Sequence, residues 1–193
     1  MTYLCLPILQ DNLFFENKIV SHNLEDSFKI ENLKINSFYG AFPFFTLNGE
    51  VNLNNRNNNF LLESDIYNFF NSIKAPFRLS CNNLYINNLD LQNGYFNLIL
   101  SYGHDKGNFI EINNLEVLDF IKANYPNYHF IYSDQLINIL LLEKLIDNKD
   151  LELIELPSFI DFSILNNLKQ KNKIEIRICN KCTLYCNKMK SCI

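Results

Sequence analysis

The sequence predicts an α/β protein, an incomplete or irregular β/α (TIM-like) barrel with about six mainly parallel strands. From Phe77 onward, short apolar stretches alternate with amphipathic stretches of helical length. Parallel neighbouring strands need such a helical crossover between them. The chain has 193 residues, fewer than the ~250 that a complete eight-stranded barrel usually takes. We therefore expect an incomplete barrel or an open sheet.

The N-terminal region has the least regular pattern. Thr2 to Leu9 is compatible with a strand, and Phe28 to Ile35 alternates apolar and polar residues as a half-buried strand does. We assign residues 1–33 to N-terminal strands or a hairpin. Residues 34–193 are assigned to a barrel-like domain that ends in a cysteine cluster, with its first strand at Lys34 to Phe42.

The following elements alternate between helix and strand. Ser64 or Asp65 is expected to cap a helix whose apolar residues recur at helical spacing, and Pro76 ends it. Phe77 to Cys81 is the next strand, and Leu89 to Tyr102 the next helix, although Gly94 weakens its pattern.

The same logic continues to the end of the apolar pattern. Asn114 is expected to cap a helix that the Tyr125-Pro126 pair ends, and Ser133 or Asp134 to cap the next. The predicted strands are Asn108 to Ile112, His129 to Tyr132, Leu151 to Leu156 and Lys173 to Ile178; the predicted helices run through Leu115 to Ile121, Leu136 to Ile146 and Ser158 to Leu168.

Composition narrows the class of partner. The chain carries 17 Lys and Arg against 21 Asp and Glu, for a net charge of -4. This balance argues against a nucleic-acid-binding surface, which needs a concentrated basic patch. No apolar run approaches the ~18 to 20 residues that cross a bilayer, and residues 1–10 lack the features of a signal peptide. We expect a cytoplasmic protein without membrane contact and with reduced thiols.

Polar residues follow the predicted strands. Sites in parallel α/β folds gather at the carboxyl ends of strands, where this chain has Asn82, Asn83, Asn113 and Asp134. We assign these four residues to substrate binding. The alternative is that they only cap helices or turns. No catalytic residue is identified, because phosphate-loop, H-E-x-x-H and G-x-S-x-G motifs are absent from the sequence.

Four cysteines cluster near the end of the chain. Cys179, Cys182, Cys186 and Cys192 follow the pattern C-x2-C-x3-C-x5-C. Four thiolates supply a complete ligand set for zinc or for an iron–sulfur cluster. The spacing matches neither bacterial ferredoxins nor zinc ribbons, so the metal stays open between an iron–sulfur cluster and zinc. A reversible disulfide pair, or cysteines that share no ligand, are the alternatives.

Five stretches of the sequence carry a family resemblance; they are Phe38 to Pro43 with Asn48-Gly49, Phe77 to Asn83, Ile110 to Pro126, His129 to Asp134, and Ile174 to Asn180 with Cys182 and Cys186. Together they resemble a group of small bacterial barrel proteins akin to the collagenase-like peptidase family. The resemblance implies a truncated or irregular β/α barrel. Better-known relatives bind iron–sulfur clusters through cysteines and hydroxylate RNA or quinone precursors, or are described as peptidases.

The chain departs from that group at several positions. Glu50 and Val51 follow the early Asn-Gly turn, where the group often has Gly-Gly-Arg. The helix after the second strand lacks the group's His and Cys. These departures favour a second hypothesis, in which the chain is a non-catalytic member that binds a protein partner and its C-terminal cysteines are structural, through zinc, or incidental.

Overall fold

Seven strands form one sheet in the computed structural model, which describes residues 2–7, 33–40, 63–72, 76–83, 85–134, 137–157, 162–166, 168 and 170–176. Every neighbouring pair is parallel, and the strands lie in the sheet in their order along the chain. The strands are Thr2–Pro7 (β1), Leu33–Gly40 (β2), Phe77–Cys81 (β3), Phe109–Ile112 (β4), His129–Ser133 (β5), Leu151–Leu156 (β6) and Ile174–Ile176 (β7).

Helices alternate with the strands from β2 onward. They are Glu63–Ser72 (α1), Asn88–Leu91 (α2), Gly94–Gly103 (α3), Leu115–Asn124 (α4), Ile139–Ile146 (α5) and Phe162–Leu165 (α6), with short 3-10 helices at His104–Lys106 and Lys171–Lys173. The sheet curls into half of a barrel, which confirms the predicted incomplete β/α barrel. Strands β2 to β7 are the six that the sequence predicts. β1 pairs with β2 in parallel, from Thr2 opposite Leu33 to Pro7 opposite Tyr39. The division of the chain into two regions at residue 33 stays a prediction.

Alternation along the strands separates two faces. In β3, Leu79 and Cys81 are fully buried on the outer face, in the core that the helices cover. Ile110 in β4 and Ile154 in β6 belong to the same core. The intervening residues point to the inner, concave face. One strand therefore serves an apolar core and a separate inner face at the same time.

The outer core is rich in aromatic rings where α1 lies on β3. Phe70 stacks on Phe77 with ring centroids 5.7 Å apart, and Tyr67 meets Phe77 edge-on at 5.3 Å. Gly103 lies against the rings of Tyr67 and Tyr128, so closely that a Cβ atom there would collide with both. Glycine is needed at this position because the α3 backbone approaches the two tyrosines without room for a side chain.

Asparagine side chains cap the N-termini of most of the helices. Asn87 caps α2 in a capping box with Asp90, and Asn93 caps α3. Asn114 caps α4 as predicted, and its Oδ1 atom accepts from the backbone N–H of Glu116. Each cap satisfies backbone N–H groups that have no partner within the helix.

Four helix boundaries differ from those predicted. Helix α1 begins at Glu63, so Ser64 and Asp65 lie inside it and do not cap it. The stretch Leu89 to Tyr102 contains two helices, because Asn93 and Gly94 end α2 and start α3. Helix α5 begins at Ile139 behind the cap Asn138, not at Leu136 behind Ser133 or Asp134. Propensity alone could not choose between several possible Asn, Ser and Asp caps. Helix α6 spans Phe162–Leu165, within the predicted Ser158 to Leu168.

Candidate functional site on the concave face

The inner face of the sheet collects buried polar side chains. Arg78 and Ser80 project from β3, Glu111 from β4, and Glu155 from β6, all of them less than one tenth exposed. The strand registers bring them together, since Ser80 lies opposite Glu111. Charged residues are rarely buried unless they are paired, so this face is held by specific polar contacts.

Arg78 is the centre of these contacts. Its Nη1 and Nη2 atoms donate to the two carboxylate oxygens of Glu175 at 2.9 and 2.8 Å, and its Nε atom donates to Oγ of Ser37. Such a bidentate pair fixes the guanidinium plane as well as its charge. The ring of Phe109 lies 5.7 Å from the guanidinium carbon and covers it from one side.

The Arg78–Glu175 pair also reports the curvature of the sheet. The two residues belong to β3 and β7, which are separated by β4, β5 and β6. In a flat sheet, strands four positions apart lie about 19 Å from one another, further than the two side chains reach together. The ion pair therefore spans the hollow of the half-barrel from one wall to the other.

A second contact lies beside the first. Ser80 donates from Oγ to Oε2 of Glu111 at 2.9 Å, and Oε1 of Glu111 lies 4.0 Å from Nη1 of Arg78. Glu111 is therefore linked to the same guanidinium. Ser133 at the end of β5 lies opposite Glu155, and Glu155 lies opposite Glu175. One guanidinium and three carboxylates thus share the concave face.

The electrostatic character of this face follows from that composition. A buried arginine keeps its charge, and the carboxylates beside it offset that charge. The cluster can orient a polar ligand, and it keeps the inner face polar where the outer face is apolar. The negative charge of Glu111, together with burial, raises the pKa of the Cys81 thiol well above its usual range, with burial as the main cause.

The predicted substrate-binding residues lie at the carboxyl ends of their strands. Nδ2 of Asn113 donates to the backbone carbonyl of Asn82 at 2.7 Å, which joins the loops after β3 and β4. Oδ1 of Asn83 accepts from the backbone N–H of Tyr85 at 2.9 Å and so stabilises the turn after β3. Asn113 and Asn83 therefore both stabilise the backbone at the carboxyl ends of their strands. Their role in substrate binding stays a prediction.

Asn113 and Asp134 lie on either side of Tyr132. The Tyr132 hydroxyl donates to the backbone carbonyl of Asn113 at 2.9 Å. Burial, with a smaller effect from the charge of Asp134, raises the pKa of Tyr132 to about 12. Oδ1 of Asn113 is buried and has no hydrogen-bond partner among the described residues. The edge therefore offers one amide oxygen that no described residue uses.

The predicted cysteine ligands Cys179, Cys182, Cys186 and Cys192 lie outside the described residues. Within the described part of the chain, no three His, Cys, Asp or Glu side chains are grouped so that they could hold a metal ion. Cys81 lies in the outer core, and its buried, protonated thiol is unsuited to bind a metal.

The centre of the concave face is not among the predicted site residues. Arg78, Glu111 and Glu175 are absent from that prediction, although each interrupts an apolar strand at an alternating position. A charged residue in a strand whose neighbours are all apolar indicates an inner-face group, since the outer face must stay apolar. That signal was available in Phe-Arg-Leu-Ser-Cys, Phe-Ile-Glu-Ile and Ile-Glu-Ile.

No described helix is both long and apolar enough to cross a bilayer. Comparison of the chain with models of known protein families, with curated proteins and with solved structures finds no match. The resemblance to the collagenase-like peptidase family therefore stays a prediction. The structure itself is a β/α half-barrel with a polar concave face.

Proposed function

We propose that this chain is a metal- or iron–sulfur-binding barrel-like protein similar to the collagenase-like peptidase family. Cys179, Cys182, Cys186 and Cys192 would supply the ligands, and the cofactor would be an iron–sulfur cluster or zinc. The reaction is left unassigned. The proposal depends on thiolate chemistry in the sequence and on the position of the strand that precedes it.

The direction of β7 is the observation that carries the proposal. β7 runs parallel to β6 and ends at Ile176, at the same edge as the carboxyl ends of β3 to β6. Cys179 follows Ile176 by three residues, so its Cα atom lies at most about 11 Å from that of Ile176. This reach supports a cysteine site near the edge that carries Asn82, Asn113 and Asp134, because β/α folds bind ligands at the carboxyl ends of their strands.

Metal content under anaerobic conditions tests the proposal. The full chain should purify with about one zinc ion or one iron–sulfur cluster per chain. Visible absorption is expected only if iron and sulfide are present. Cys182→Ser should lower the metal content sharply. The matched control is Cys81→Ala in the outer core, which should lower stability and leave the metal content unchanged. Metal-free protein with a stability indifferent to Cys182→Ser would refute the proposal.

A second function is favoured by the inner face itself. Arg78 donates to both Ser37 and Glu175, and Ser80 donates to Glu111, as in a structural polar core. This supports a non-catalytic member that binds a protein partner, with cysteines that hold structural zinc or are incidental. Chelation separates the two cases, because a structural zinc site would lose folding along with the metal.

A further inference from the structure

Exposed large apolar side chains are concentrated at the carboxyl edge of the sheet. Leu89 is 78% exposed, Leu140 70% and Tyr85 61%, and Leu115 and Ile139 are also exposed. All five lie where the chain leaves β3, β4 or β5 and enters a helix. Single exposed apolar residues are ordinary on a protein surface, whereas a group on one edge marks an interaction surface.

We define the acidic rim as the described residues within 82–91, 113–119 and 133–143. Its three segments are joined to one another. Asn113 bonds to the backbone of Asn82, and Tyr132, next to the third segment, bonds to the backbone of Asn113. Residues of the first two segments line a cavity of about 190 Å³, with Leu91 on one side and Val117 on the other. The first two segments therefore form one surface, and the third segment begins next to Tyr132, which contacts it.

Charge on the acidic rim has one sign. The described residues of the three segments include five carboxylates and neither lysine nor arginine; the five are Asp90, Glu116, Asp119, Asp134 and Glu143. Six of the seven lysines of the described residues lie instead at the ends of helices or the starts of strands, towards the opposite edge; they are Lys34, Lys106, Lys122, Lys149, Lys171 and Lys173. The seventh, Lys144, follows Glu143 in α5.

We propose that the acidic rim is a docking surface for a basic, amphipathic segment of a partner protein. Leucine and tyrosine side chains would cover the apolar side of that segment, and the flanking carboxylates would face its lysines or arginines. Charge complementarity selects this occupant, because the same carboxylates repel nucleic-acid phosphates and anionic membrane surfaces. This inference goes beyond metal binding, since the rim acts without the cysteines.

A synthetic helical peptide with a leucine face and a lysine face is a suitable probe. Fluorescence anisotropy should detect its binding to the full chain, and a matched peptide with glutamate in place of lysine should bind at least about tenfold more weakly. The variant Leu89→Gln with Leu140→Gln should weaken binding about tenfold, and Glu116→Gln with Glu143→Gln should weaken it and reduce its dependence on salt.

Matched control variants distinguish peptide binding at the acidic rim from non-specific binding elsewhere on the surface. Leu98→Gln alters an exposed leucine in α3, away from the rim, and Asp147→Asn with Asp150→Asn removes charge at the opposite edge. Both should leave peptide affinity unchanged, and the thermal unfolding of all variants should match the parent. No binding at peptide concentrations up to about 1 mM, or equal losses in rim and control variants, overturns the proposal.

Two other occupants would also overturn it. If a second copy occupied the rim, sedimentation would find a dimer that Leu140→Gln dissociates. If the chain's own basic end at residues 177–193 occupied it, Lys188→Gln with Lys190→Gln would strengthen peptide binding by removing competition. The proposal expects a monomer whose peptide affinity does not respond to those two lysine substitutions.

Discussion

The two faces of the sheet are stabilised by different physics, although the same strands build both. On the outer face, Leu79 and Ile110 are stabilised by burial against helices, which is non-directional and proportional to apolar area. On the inner face, Arg78 and Glu175 depend on the position of a few atoms. The outer face should tolerate changes that conserve volume, whereas the inner face should tolerate few changes that leave one charge alone.

Removal of the arginine should have the largest effect. Arg78→Ala leaves Glu175 and Glu111 without their guanidinium, and we expect a loss of about 4 kcal/mol in the free energy of unfolding. Denaturant titration followed by circular dichroism measures it. Arg78→Met keeps the apolar stem, so its difference from Arg78→Ala isolates packing from charge.

A double variant sharpens this result. Adding Glu175→Gln to Arg78→Met should recover part of the loss, because the carboxylate without a partner is then removed. Strictly additive losses would mean that the pair across the hollow contributes nothing through mutual contact, and the contrast between the two faces would then be wrong.

Truncation on the outer face should have a somewhat smaller effect. Leu79→Ala opens a cavity in the core and should cost about 3 kcal/mol, measured by the same titration. Leu79→Met conserves volume and should cost less than about 1.5 kcal/mol. If Leu79→Met destabilised the protein as much as Leu79→Ala, the outer face would be as position-dependent as the inner one.

Alkaline pH should weaken the outer face by a smaller amount. The Tyr132 hydroxyl has a pKa of about 12 in the fold against 10.0 in the unfolded chain, and the Tyr128 pKa is raised as well. The contribution of these two neutral hydroxyls to the free energy of unfolding is then fully present below pH 10, and it is lost as the pH rises through the raised pKa values. Unfolding titrations at several alkaline pH values should reveal the fall, and Tyr132→Phe should make it shallower. A pH-independent stability in this range would contradict the assignment.

The fold was predictable because its signals are local and repeated. Strands Phe77–Cys81 and Leu151–Leu156 match the predicted bounds, and β4 and β5 match within one residue at each end. The strand–helix alternation then allows few topologies other than a parallel sheet. The predicted helix boundaries are wrong near Asn93 and Asn138, since each asparagine can cap a helix that begins just after it.

The concave cluster was less predictable because its contacts are distant in sequence. Ser37, Arg78 and Glu175 come from three different strands, and no short motif contains them. The predicted site residues, such as Asn82 and Asn113, lie at strand ends and do not include the charged residues inside strands. The alternation of Arg78 with Phe77 and Leu79 indicated that it points away from the core, but not which partner it would meet.

The sequential order of the strands has a consequence for how the chain folds. Each strand pairs with the one made just before it, so the sheet can grow strand by strand during synthesis, from the N-terminal end. The Arg78–Glu175 pair joins residues 97 positions apart, and its carboxylate arrives with the last strand. Until β7 docks, the guanidinium of Arg78 lacks its main acceptor. Completion of the sheet is therefore coupled to the pairing of this guanidinium with a carboxylate, and chains that stop short of β7 should be disfavoured as folded species.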